Sequence, residues 1–234
     1  MIAVTFALPA ESGEFLRCLR DKSRTDRNGI RTICGEIDDR TVEVLHTGVG
    51  EKTCRQRMAN FLHDRQFKCL ISAGFAGALS DQLQVGDLLI AENFSTIQLT
   101  EARSGLSSFP IHNGHLLTVP SIIDSIEERQ KIAQTTGAAA IDMETEFIAR
   151  ACVEHGIPLL SLRVVSDRPS EPFPVPVKIL FDVEQQRTNP IKLSFHLLRH
   201  PPAIPRLILF ARRIARARET LANAIVDVVR RIEF

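Results

Sequence analysis

Three short, nearly unbroken apolar runs do most to limit what this chain can fold into: Ile2–Leu8 (IAVTFAL), Lys68–Ser72 (KCLIS) and Leu159–Val165 (LLSLRVV). Each is far shorter than the ~18 apolar residues a membrane-spanning helix needs, and none alternates like a strand with one wet face. Continuous runs with β-branched content are strands buried on both faces, which belong to largely parallel sheets covered by helices. Helical spacing appears between them, with Phe15, Leu16 and Leu19 after the first run and Cys54, Met58, Phe61 and Leu62 before the second. Before the third comes a stripe of Met143, Phe147, Ile148, Ala151 and Cys152. Shorter strands are expected at Ile30–Ile37, Thr41–His46, Val85–Ala91 and Leu116–Val119. The alternation predicts an α/β fold, a three-layer αβα sandwich on a mixed central sheet.

The pattern holds over residues 1–169, which form the expected core. Residues 170–234 begin with a proline-rich connector (PSEPFPVPVK, from Pro169), are broken again at HPPAIP, and end in an amphipathic helix completing the same domain. In that helix Leu207, Ala211, Ile214, Leu221 and Ile225 line one face, and Arg206, Arg212, Arg213 and Arg216 the other. Net charge is only +1, yet residues 187–234 carry ten Lys/Arg against three Asp/Glu, so a basic tail follows a mildly acidic body. With no Trp or Tyr, and no interleaving of aromatic and basic residues, nucleic-acid binding is not expected. Five cysteines without a CxxC pair read as small buried hydrophobes in a reducing compartment, with no metal and no cofactor. The first residues lack the basic start of a signal peptide, so a cytoplasmic location is expected, with peripheral membrane contact through the basic helix as a further possibility.

Acidic residues fall where such strands end. Glu11 follows the first run at a strand-to-helix junction, and Ser166-Asp167 close the third. Asp142-Met143-Glu144 sit where the small residues Gly137–Ala140 give way to a helix, with Glu144 one residue round from its apolar stripe. In open α/β sheets ligands bind beyond the carboxyl ends of the strands. The HTGVG turn at His46–Gly50 reads equally as an anion cradle and as a plain turn, and the small residues Ala73–Ala78 would let backbone approach a ligand closely. Arg163, inside an apolar run, must be paired or reach an interface. The charges of Pro120–Gln134 read as a solvated face, and the Ser-rich Thr96–Asn113 as a mobile loop.

In this order, ALPAE, HTGVG, SAGFAGAL, QVGDLLIA, AIDMET and LRVVSD resemble the purine nucleoside phosphorylase/uridine phosphorylase superfamily. They are most similar to its 5′-methylthioadenosine/S-adenosylhomocysteine nucleosidase branch. The resemblance implies hydrolysis of an N-ribosidic bond, with adenine as the leaving base. Asp167 matches the general acid that protonates the purine at N7, and Glu11 the residue that activates water. Glu144 matches the acceptor of the ribose 2′ and 3′ hydroxyls, and Met143 the methionine under the sugar. Phe75, Ala76 and Gly77 match the backbone beside ribose and base; Asp142 and Ser166 join the substrate-binding set. The resemblance also implies a homo-oligomer, most simply a homodimer.

Departures keep alternatives open. Phe75 replaces the usual Ser or Thr, Asp142 replaces a Glu, and no aromatic stacking residue is evident between Val119 and Ser125. A phosphate-dependent phosphorylase and a catalytically silent nucleoside- or lipid-binding protein are the alternatives, though a carboxylate at Glu11 would repel phosphate. A narrower resemblance, in ALPAE, GHLLTV, DMET and the basic tail after a proline-rich connector, is to hopanoid-associated members of the superfamily. It implies an adenosylated hopanoid lipid as the molecule cleaved.

Overall fold

A computed structural model describes residues 1–97, 109–171, 173–176, 179 and 190–232. Most of the expected Ser-rich loop and parts of the proline-rich connector (172, 177 and 178) lie outside the described residues. The apolar runs become β1 (Ile2–Phe6), β5 (Cys69–Ala78) and β10 (Leu159–Asp167), which lie side by side and parallel with β5 in the middle. Every residue of β1 and β10 is buried, as strands covered on both faces require. On the far side of β1, β4 (Arg40–His46) pairs in parallel and continues antiparallel through β3 (Ile30–Ile37) to β2 (Arg20–Arg27). Beyond β10 come β6 (Leu88–Ala91), antiparallel, and β7 (Ile111–Gly114). The end of β5 curls away to pair with β9 (Ala140–Asp142), itself parallel to β8 (Leu116–Thr118).

Helices cover both faces, giving the mixed αβα sandwich. Alternation along β1 sends Ile2, Val4 and Phe6 to one side, where they meet α1 (Pro9–Cys18) and the second half of α6 (Ala203–Arg231). Ala3 and Leu45 face the other side, against α2 (Glu51–Leu62) and α4 (Thr145–Glu154). Each large apolar side chain buried here contributes about 1.5–3 kcal/mol.

Several expectations need correction. The first helix stops at Cys18 because Arg20 already belongs to β2, whose eight residues are all exposed. An edge strand this polar resists pairing with other chains and carries no apolar signal. The strand expected from Val85 begins only at Leu88, after a turn. Cys54, Cys69 and Cys152 are buried free thiols, but Cys34 is half-buried and Cys18 exposed. The proline-rich tail holds an additional helix, α5 (Pro190–Arg199), before α6. In α6 the apolar stripe reaches the core only from Ala217 onward; Ala211 is exposed and Leu207 and Ile214 are half-buried.

Candidate active site

At the carboxyl ends of β1, β5 and β10 a cleft of about 410 Å³ opens, and most of its lining surface is apolar. Glu11, Phe75, Ala76, Gly77, Asp142, Met143, Glu144, Ser166 and Asp167 all border it. The structure thus brings every candidate residue to one place, and their environments then set them apart.

Glu11 lies in the first turn of α1, where its carboxylate accepts the N–H of Leu8, 3.0 Å away. That bond caps the helix, but the side chain is buried and borders the cleft. Burial raises its pKa, opposed by the Leu8 N–H, the Arg163 charge and the N–H groups of Phe75 and Ala7. Glu144 occupies the N-cap of α4. Its carboxylate accepts the N–H of Gly50, 3.0 Å away. Gly50 has φ 86°, a conformation glycine adopts freely, so the HTGVG turn presents an amide to an internal carboxylate. Burial, reinforced by the charge of Asp142, pushes the pKa of Glu144 up to about 8, against the opposing pull of the Gly50 amide. Glu11 and Glu144 also share the wall of a small void of about 10 Å³ behind the cleft, together with Arg163.

The two aspartates are each paired with an arginine. Asp142 receives Arg163 Nε at 3.1 Å, the Thr118 hydroxyl at 2.8 Å, and the backbone N–H and hydroxyl of Thr145. Arg163 is itself satisfied within the chain, donating to Ser72 and Thr145 as well, which accounts for a charge inside an apolar strand. Asp167, only 3% exposed, is ion-paired with Arg129 and accepts the Ser166 hydroxyl at 2.6 Å. Arg129 donates also to the carbonyls of Ile123, at 2.8 Å, and Ala78, at 3.0 Å. A Cβ on Gly77 would stand 3.2 Å from Asp167 Oδ2, so a glycine there lets the carboxylate sit against β5.

The profile of the phosphorylase superfamily matches residues 1–108 and 95–199, most of the chain. The chain belongs to the phosphorylase superfamily. Among curated relatives, a 5′-methylthioadenosine/S-adenosylhomocysteine nucleosidase of Staphylococcus aureus is 25% identical over 196 residues, spanning 71% of this chain and 86% of the relative. In fold the chain is similar to futalosine hydrolase of Helicobacter pylori, with TM-score 0.75, 16% identity, and 99% and 97% of the two chains covered. The S. pneumoniae 5′-methylthioadenosine/S-adenosylhomocysteine nucleosidase, solved with a transition-state inhibitor, gives TM-score 0.73 at 19% identity with 99% of each chain covered.

Within this superfamily member, three parts of the cleft escaped sequence reasoning. Arg129 was expected on a solvated face, yet it is buried in the first turn of α3 (Ile126–Thr136). Its neighbours Glu127, Glu128 and Lys131 are exposed, so local charge density masked it. Val119, Ile122 and Ile123, from the segment where no stacking residue could be named, supply an aliphatic wall. Phe173, Phe210 and Ile214 also line the cleft, with the two rings packed edge to face at 5.5 Å. Met143, expected both in the α4 stripe and in the substrate-binding set, precedes that helix and borders the cleft.

Proposed function

We propose that this protein hydrolyses the N-ribosidic bond of an adenosine-like nucleoside bearing an apolar 5′ substituent, releasing adenine. The observation that carries this reading is the convergence of Glu11, Met143-Glu144 and Asp167, from separate elements, on one apolar cleft. Breaking such a bond builds positive charge on the sugar and requires a proton for the departing base and a nucleophile at C1′.

In this reading the purine lies against Val119, Ile122 and Ile123, with N7 towards Asp167. Asp167 relays a proton from solvent to the base, and Arg129 and Ser166, which hold its two oxygens, stabilise the carboxylate present before and after the transfer. Glu144 accepts the ribose hydroxyls above Met143, and its negative charge favours the oxocarbenium-like sugar. Glu11, desolvated at the cleft wall, takes a proton from water as the water oxygen bonds to C1′ and the C1′–N9 bond breaks. Free base and a 5′-substituted ribose leave, and Glu11 returns its proton to solvent, replacing the one relayed through Asp167. Asp142 acts one step back, holding Arg163 behind the sugar site. With Glu11 and Glu144 both on this wall and both ionised for the reaction, water is favoured over a phosphate dianion.

A finer reading makes the 5′ group a lipid, such as the adenosylated hopanoid that the sequence resemblance implies. The apolar lining of the cleft at Phe173, Phe210 and Ile214 supports it. A homodimer, also implied by the resemblance, belongs to the same proposal and is checked by sedimentation velocity. The central test follows free adenine released from methylthioadenosine, S-adenosylhomocysteine, adenosine and a 5′-alkylthioadenosine, with and without phosphate. Phosphate-independent release that improves with the apolar chain is expected, and Asp167→Asn should slow it about 100-fold or more. A strict phosphate requirement would make the protein a phosphorylase, and ligand-induced thermal stabilisation without adenine release would make it a binding protein.

A further inference from the structure

The segment formed by α5 and the first half of α6 lacks the buried side that the second half of α6 has. No residue from 193 to 216 is buried, whereas α6 buries eight of its residues from Ala217 to Val229. Five large apolar side chains stand out in solvent along it: Phe195 (56% exposed), Leu198 (78%), Ile204 (43%), Ile208 (50%) and Leu209 (51%). Over residues 190–216 the sequence carries six Lys/Arg and not one Asp/Glu, in a chain whose net charge is only +1. Of these, Arg199, Arg206, Arg212 and Arg216 are exposed.

We propose that this segment is a docking surface for an anionic lipid bilayer. Exposed apolar side chains interspersed with cations match an interfacial helix, which sinks aliphatic and aromatic groups to the headgroup–acyl boundary and leaves Arg and Lys among the phosphates. A second copy of this chain fits the face poorly. A two-fold interface sets a patch against itself, and here four exposed arginines would meet four, without a single carboxylate from the segment between them. Spanning is not the mode of contact, since no helix among the described residues is long and apolar enough to cross a membrane. The segment also adjoins the cleft. Phe210, one residue from exposed Leu209, borders the cleft, and a second hollow of about 270 Å³ lies between Phe173, Phe210, Leu209 and Arg206. Docking would therefore place the apolar side of the cleft near the lipid, although the docking itself does not rest on the nucleosidase reading.

The test is co-sedimentation of the full-length protein with vesicles of phosphatidylcholine alone and of phosphatidylcholine with 30 mol% phosphatidylglycerol. Binding to the anionic vesicles is expected to exceed binding to neutral ones at least tenfold, and to drop tenfold or more between 0.1 and 0.5 M salt. The Leu198→Glu/Ile208→Glu variant should lose that binding while keeping its melting temperature and its turnover of a water-soluble nucleoside. Equal binding to both vesicles, binding unaffected by the double substitution, or no binding at all would overturn the proposal. So would a concentration-dependent dimer that the double substitution dissolves. Turnover is read separately, so an inactive protein that binds vesicles sinks the nucleosidase reading alone, and an active one that ignores them sinks only the docking.

Discussion

Replacing Arg129 by Met tests whether the cleft is held by a buried ion pair. Arg129 and Asp167 are each 3% exposed, so removing the cation strands a carboxylate in the protein interior. Breaking a buried pair from one side costs about 3–5 kcal/mol. The carbonyls of Ile123 and Ala78 lose their donor as well, adding about 1 kcal/mol each where water cannot replace it. In a domain of this size each kcal/mol lowers the melting temperature by roughly 2–4 °C, so a loss of about 3–7 kcal/mol should make Arg129→Met melt roughly 6–28 °C early. Asp167→Asn strands the guanidinium in turn and should cost a comparable amount. The informative protein is the double variant, in which neither charge remains. Its loss, measured by urea unfolding, should fall short of the summed single losses by about 2–3 kcal/mol. Additivity to within about 0.5 kcal/mol would mean that the two side chains do not act as a unit, and that Arg129 has no part in positioning Asp167.

Two further predictions come from the glutamates. In the free enzyme Glu144 holds its proton up to about pH 8 and Glu11 titrates above its ordinary range, both through burial, and both must ionise to do the work proposed for them. kcat/KM should therefore climb with pH up to about 8, and Glu144→Gln should remove the part of the rise nearest 8; a profile already flat at pH 6 would contradict the assignment. Stability should run the opposite way. Between about 4.5, the ordinary value, and about 8 the folded protein binds a proton at Glu144 that the unfolded chain has released, so stability falls as pH rises across this window and levels off above it. Melting scans of the ligand-free protein from pH 5 to 9 should show this decline, Glu144→Gln should flatten it, and a melting temperature that rises through the window would refute it.

The central strands were legible because burial on both faces leaves nothing but apolar residues in β1 and β10, and a run of that kind needs no partner to be recognised. Edge elements were not. β2 reads RDKSRTDR, and β7 is only half-buried along IHNG, so hydrogen bonding to a neighbour makes each a strand without help from its own side chains. Glu11, Glu144 and Asp167 could be named because they interrupt apolar runs at element ends. Arg129 could not, since what buries it is a carboxylate 38 positions away and two carbonyls brought in by β5 and the segment before α3. The cleft walls at Ile122 and Phe210 were hidden for a similar reason: each is an ordinary apolar residue until the fold brings it to the same cleft as the acids.

That pairing divides the carboxylates around the cleft into two kinds. Asp142 and Asp167 each face a guanidinium, while Glu11 and Glu144 rely chiefly on backbone N–H groups and share the more distant charge of Arg163. Full ionisation of all four would leave two negative charges uncompensated in a largely apolar cleft, so the unpaired glutamates are the ones that burial drives towards protonation. A sugar that becomes cationic as its base departs supplies the missing countercharge. In the proposed reaction the arrangement is thus incomplete without its transition state, and the energy stored in desolvating Glu11 and Glu144 is released where positive charge develops at C1′ rather than on binding a neutral substrate.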